Sequence, residues 1–202
     1  MRATLLIILS FLLSACVMTQ QAKVLRYNNG IVQGKSFALV ADKTQKGDLE
    51  FQQYAERVNV QLQRHGLPQA NSLESAAYHV QFSYSSDTGK QIIESYPDYS
   101  VYGGASNDGL GIGVGGPLYD PYYRRNTVQS YTLYTHRLEI RITDVTARGT
   151  PTVWQGKASV ETADSSINPV IGCLVEAVFM DFPAGSGVEQ VVNVPLPTAA
   201  CP

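Results

Sequence analysis

The sequence predicts an α+β domain: two helices packed on one face of a mainly antiparallel sheet of four to five strands, with a long Gly/Tyr-rich insertion. Three observations predict it. Residues 78–84 and 138–142 alternate between inward apolar and outward polar side chains, the pattern of half-buried strands. Residues 49–62 and 171–178 instead repeat apolar side chains every three to four positions, which is the period of one helix face. "TARG", residues 146–149, separates two alternating runs by a gap short enough for a hairpin, so those neighbours run antiparallel. At 202 residues the chain is long enough for one domain with a sizeable core.

The elements follow in order. Arg2 and the apolar run Leu5 to Leu13 read as an export signal over residues 1–15; the run is too short for the roughly 20 apolar residues that cross a bilayer. Residues 16–35 are mixed and contain the turn signal Asn28–Gly30, and are read as a tether. The domain is placed at 36–183. Its first strand is the compact apolar run Ser36 to Ala41. A helix follows, with Leu49 or Phe51, Tyr54, Ala55, Val58 and Leu62 on its buried face, ended by Gly66 and Pro68. Tyr78, Val80, Phe82 and Tyr84 then point one way and His79, Gln81 and Ser83 the other. The insertion occupies about 85–130. Leu138, Ile140 and Ile142 resume the alternation, and Trp154, Gly156, Ala158 and Val160 continue it beyond the hairpin. Asn168 is placed to cap the last helix with Pro169 at its first position. Ile171, Leu174, Val175 and Val178 form its stripe, and Pro183 and Gly185 stop it. Residues 184–202 are read as a tail.

The formal charge of −2, from 15 basic and 17 acidic side chains, provides no basic field for a phosphate backbone, so nucleic acid is not an expected partner. Gly111, Gly113 and Gly116 have dinucleotide-loop spacing, but Pro117 and Pro121 forbid the helix that such a loop must open. No cofactor is expected. In an extended conformation the glycines of "GLGIGVGG" would line one face and Leu110, Ile112 and Val114 the other. Tyr96, Tyr99, Tyr102, Tyr119, Tyr122 and Tyr123 flank the run, with Arg124 and Arg125 beside them; an apolar ring with a wet tip suits a headgroup layer, a sugar face or a mobile loop alike. The candidate contact region is Tyr102, Leu110, Ile112, Val114, Tyr119, Tyr122 and Tyr123. "NGIVQGKS" departs from a phosphate-binding loop, with Asn29 where a glycine is needed and Gly30 one residue late. His65, His79 and His136 lack ligand spacing, although His79 and His136 could meet if their strands paired; no metal site is expected. No nucleophile-elbow serine and no carboxylate pair stands out, so no catalytic residue is named.

"LSAC", residues 13–16, resembles the lipobox of bacterial lipoproteins. That resemblance implies cleavage after Ala15 and diacylglycerol and acyl chains on Cys16, enough for permanent attachment. Val17 is not the aspartate that marks inner-membrane retention in enterobacterial lipoproteins, so the implied address is the periplasmic face of the outer membrane. Cys173 and Cys201 remain as an even pair in an oxidising compartment, expected to form a disulfide, the alternative being a buried thiol at Cys173 and a loose one at Cys201. "LQRHG", "YHVQFSY", "LEIRITD" ending in Asp144, "TVWQGKA" with Trp154 and Gly156, and "FMDFP" together resemble the bacterial lipoproteins of domain of unknown function 4136, over roughly Ser36 to Pro183. Ala77 and Leu39 depart from that pattern. The resemblance implies fold and address and supplies no activity. The expected function is thus a non-enzymatic structural or binding role, with the membrane as partner through Cys16 and an envelope protein or glycan as a further one. The alternatives are a periplasmic enzyme on envelope glycan or lipid, and an assembly factor for outer-membrane proteins using an open sheet edge.

Overall fold

The computed structural model describes residues 18–97, 126–196 and 201. In chain order the elements are β1 (Met18–Asn28), β2 (Phe37–Leu39), α1 (Leu49–Arg64), β3 (Tyr78–Ser86), β4 (Lys90–Pro97), β5 (Asn126–Asp144), β6 (Thr152–Thr162), α2 (Ile171–Phe179) and β7 (Gln190–Leu196). The sheet has seven strands in the order β2-β3-β5-β6-β1-β7, with β4 paired to β5 off this path. Every pairing is antiparallel except β2 with β3. Two helices cover one face, as the sequence predicts, but the sheet is larger than the expected four to five strands.

The additional strands come from segments read otherwise. The supposed tether contains β1, which lies inside the sheet between β6 and β7. The supposed tail contains β7, and the supposed insertion contains β4 and about the first quarter of β5. β1 escapes a local reading because its inward positions run Ala22, Val24, Arg26, and the third is charged. The charge is answered from far away in sequence. Arg26 is 4% exposed and donates from Nε to Val178 O at 3.0 Å and from Nη2 to Ala177 O at 2.7 Å. These are unpaired carbonyls at the end of α2, where the helix dipole is negative. Burial lowers the guanidinium pKa, and nearby Asp181 raises it.

α1 keeps its predicted phase. Phe51, Tyr54, Val58 and Leu62 are buried, whereas Leu49 is 77% exposed, so Phe51 is the residue that starts the stripe. Asp48 caps it, accepting from Glu50 N at 2.9 Å. The helix lies against β3 through the stacked Phe51–Phe82 rings, 4.6 Å between centroids, and the edge-on Tyr54–Tyr84 pair at 4.9 Å. α2 starts later than predicted. Asn168 does not cap it and Pro169 is not its first residue; Val170 holds the cap position without a side-chain bond. Ile167 O instead takes the amides of Val170 at 3.0 Å and Ile171 at 2.9 Å, so the first turn is closed by backbone. Ile171, Leu174, Val175 and Val178 are all buried.

The core between helices and sheet centres on Trp154, packed against Phe179 at 5.8 Å and Phe182 at 5.0 Å. Gly156, on the same face of β6, provides the space. A Cβ there would meet Val178 Cγ2 at 2.5 Å and Trp154 Cη2 closer still. α2 can approach β6 only because nothing projects from residue 156. Among the described residues neither helix packs on the opposite face of the sheet, which carries Arg137, Glu139, Lys157 and Ser159, as one face of an antiparallel sheet can be polar.

Candidate interaction surface

β5 is long enough to serve two sheets of neighbours. Its residues from Tyr134 onward pair with β6, and those from His136 onward with β3. Residues 126–133 pair only with β4, Asn126 with Pro97 at one end and Leu133 with Lys90 at the other. The β4–β5 ribbon therefore leaves the sheet with both outer edges unpaired among the described residues.

The ribbon root is tightly bonded. Asp87 Oδ1 accepts from Gly89 N at 3.0 Å and Thr135 N at 2.9 Å, and Asp87 N donates to Thr135 O at 3.1 Å. The Thr135 donors hold this carboxyl below the usual aspartate range. Gly89 has φ +82, a conformation strained for any other residue type. His136, fully buried, closes the root from the core side. Its Nδ1 lies 2.7 Å from Ser86 Oγ, and its Nε2 3.0 Å from both Thr162 Oγ1 and Asp164 O. A carbonyl can only accept, so Nε2 carries a proton and the ring clasps β3, β5 and the chain after β6 together.

Beyond this root the side chains lose their cover. Ile93 is 67% exposed and Val128 62%, both on the helix side of the ribbon; Tyr96 and Tyr131 are exposed on the other side. Glu94 accepts from the Tyr131 hydroxyl at 2.8 Å and from the Tyr96 hydroxyl, which holds its carboxyl below the usual range. Large apolar side chains thus stand free on both faces of one two-stranded element. A second feature lies on the open sheet face, a shallow depression of about 330 Å³. One cross-strand row, Lys23–Ser159–Arg137–Ser85, crosses it. In the next row Glu139 holds Lys157 at 3.5 Å, and it also takes Arg141 at 3.1 Å and Gln155 Nε2 at 2.7 Å.

The sequence pattern of a family described as a domain of unknown function, DUF4136, matches residues 24–184. The chain belongs to this family. Among curated proteins none matches it. Of solved structures, this DUF4136 chain resembles a PDZ domain protein from Parabacteroides distasonis ATCC 8503, with a TM-score of 0.51 and 14% identity over 87% of this chain. It spans only 39% of that protein, and the likeness is one of fold. PelC from Paraburkholderia phytofirmans, solved as a dodecamer, aligns at a TM-score of 0.37 and 12% identity over 78% of this chain and 93% of that one.

Cys173, within the DUF4136 match, is joined to Cys201 beyond it, with Cα atoms 4.5 Å apart, and Cys201 is fully buried. The strands of His79 and His136 do pair, yet the two histidines do not meet. His79 is opposite Thr143 and His136 opposite Ser86, at the two ends of the ladder and on opposite faces. His65 sits at the end of α1 with its ring 5.2 Å from Phe182; burial, then Arg64, lowers its pKa. "NGIVQGKS" begins in a turn after β1, where the preceding Asn28 Oδ1 accepts from Gly30 N and Ile31 N. Ala15, Cys16 and the contact residues Tyr102, Leu110, Ile112, Val114, Tyr119, Tyr122 and Tyr123 lie outside the described residues. Sequence reasoning missed Ile93, Glu94, Val128 and Tyr131. The pairing of Lys90–Pro97 with 126–133 buries neither face, so no alternation announces it.

Proposed function

We propose that this DUF4136 chain is a non-enzymatic lipoprotein, anchored through lipidated Cys16 at the periplasmic face of the outer membrane, whose α+β domain presents the β4–β5 ribbon and the Gly/Tyr-rich segment at its end as a contact surface. The observation that carries the reading is the ribbon itself. A two-stranded ribbon standing alone in water is marginal, and this one exposes Ile93, Val128, Tyr96 and Tyr131 on both faces. Exposed apolar area of this kind marks sites of interaction. The lipobox at residues 13–16 supports the address, and the Cys173–Cys201 bridge fits an oxidising compartment.

The test is a pull-down from detergent-solubilised envelopes, comparing the native chain with one lacking Gly103 to Asp120 and with the Ile93→Ser, Val128→Ser double variant. Loss of specific envelope proteins or glycans from the deleted chain is the expected result, and the double variant shows whether the ribbon side chains themselves hold any of them. Recovery of the same partners from all three forms would place contact elsewhere. Palmitate incorporation lost in Cys16→Ser tests the anchor separately.

A further inference from the structure

Lys23 on β1, Ser159 on β6 and Arg137 on β5 stand in one row across the sheet. β1 and β5 are both antiparallel to β6, so they run in the same direction. Five residues back from Lys23 is Met18, the first residue of β1, and five back from Arg137 is Thr132. Before Lys23 β1 runs along β7 alone, so counted at equal rise per residue its start stands at about the level of Thr132. From that level β5 continues through Tyr131 to Asn126, which at about 3.3 Å per residue carries the ribbon roughly 20 Å further in the direction from which β1 comes. Cys16 precedes Met18 by two residues, a reach of at most about 7 Å. Wherever Cys16 is held, the outer ribbon passes that level by more than about 10 Å.

Val128 and Tyr96, opposite Thr127, stand beyond the furthest level Cys16 can reach, whereas Ile93, opposite Ser130, and Tyr131 stand within about 7 Å of the Met18 level; Glu94 is bonded to both phenols. Apolar groups on both faces fit a solvent that surrounds the ribbon better than a second copy, which would cover one face. Tyrosine favours the level of lipid headgroups. The free strand edges limit the depth, because unpaired amides are costly in hydrocarbon and tolerable where headgroup water reaches.

We infer that the outer half of the β4–β5 ribbon is seated in the lipid leaflet that holds Cys16, with Tyr96 and Val128 at the boundary between headgroups and acyl chains and Ile93 and Tyr131 among the headgroups. The partner is a lipid surface, and the ribbon acts with the anchor as a second point of attachment, orienting the open sheet face sideways to the membrane. This rests on the reading of Cys16 as lipidated.

The experiment uses the full-length chain, purified with its lipid and reconstituted into phosphatidylethanolamine–phosphatidylglycerol vesicles. With Cys16 acylated and Cys173 bridged to Cys201, one introduced cysteine is the sole free thiol. Ile93→Cys, Val128→Cys and the control Ser83→Cys each carry a nitrobenzoxadiazole label. Ser83 is opposite Glu139, seven residues along β5 on the far side of the Met18 level. Labels at 93 and 128 are expected to emit at shorter wavelength and to be quenched at least twofold more than the label at 83 by lipid with a shallow doxyl group. A palmitate-bearing chain that floats with the vesicles while all three labels respond alike overturns the seating and leaves the anchor standing. A chain that neither floats nor carries palmitate overturns both. Self-quenching of label by label, without quenching by lipid, makes a second copy the occupant and refutes the inference.

Discussion

Replacing Gly156 by alanine adds one methyl group at the tightest point of the core. The new carbon would lie 2.5 Å from Val178 Cγ2 and closer to Trp154 Cη2, inside any real van der Waals contact. Neither neighbour can swing away: the indole is wedged between Phe179 and Phe182, and Val178 is fully buried on α2. The strain must be met by lifting α2 from the sheet, which also stretches the Arg26 bonds to its last carbonyls. Overpacking of a rigid site costs about 1–3 kcal/mol, and with two immovable neighbours the upper half of that range applies. A loss of about 2–3 kcal/mol lowers Tm by roughly 5–10 °C in a domain of this size. Urea unfolding followed by tryptophan fluorescence measures it, since the chain has one tryptophan, Trp154. Gly149→Ala is the comparison: its φ is +81 with nothing within 4 Å, so only the left-handed backbone penalty of about 1 kcal/mol applies. A Gly156→Ala protein within about 0.5 kcal/mol of the native one would refute the claim that this glycine sets the helix-to-sheet distance.

Three further outcomes follow from the same structure. Arg26→Met removes two charged donors from the end of α2 and leaves Ala177 O and Val178 O buried without them; a loss of about 3 kcal/mol is expected by chemical denaturation. Asp144, bonded to Lys35 Nζ at 2.8 Å and to Thr146 Oγ1 at 2.6 Å, has its carboxyl lowered to about 2, first by Lys35 and then by Thr146. Its folded value lies below its unfolded one, so its contribution is complete above about pH 5 and is lost as pH falls through 2. Lys35 is 35% exposed, so solvent screens the pair and about 1 kcal/mol is expected at pH 7. In thermal melts across pH, Asp144→Asn should be less stable at pH 7 and converge with the native protein near pH 2. Reduction of the Cys173–Cys201 bridge, which closes a separation of 28 residues, should cost about 3.5 kcal/mol by loop closure, read as a lower urea midpoint in reductant. The Cys173→Ser, Cys201→Ser double variant should show no reductant effect.

Those parts of the fold that bury one face against a neighbour close in sequence were legible. The α1 stripe, the inward residues of β3, β5 and β6, and the β5–β6 hairpin all announce themselves by period. β1 and β7 do not. The inward series of β1 breaks at Arg26, whose partners lie on α2, and β7 carries Pro195, which argues against a sheet-interior strand and is admissible because β7 is an edge paired, among the described residues, to β1. The α2 start was misplaced because Asn168 and Pro169 imitate a cap while Ile167 O closes the turn through backbone, which carries no side-chain signature. For the candidate surface, composition pointed to the Gly/Tyr-rich segment, but the ribbon that carries it required the β4–β5 register. The overshoot past Met18 follows only from counting residues across three strands.

The placement of β1 has a mechanical consequence. A pull on the residues before Met18 enters the domain along β1, which is laddered to β6 on one side and to β7 on the other. Pulled lengthwise, β1 must slide past two neighbours at once, so the rungs of both ladders share the load instead of opening singly as in a zipper. Tension applied ahead of β1 is therefore met by shear resistance in two ladders, one strand in from the β7 edge of the sheet.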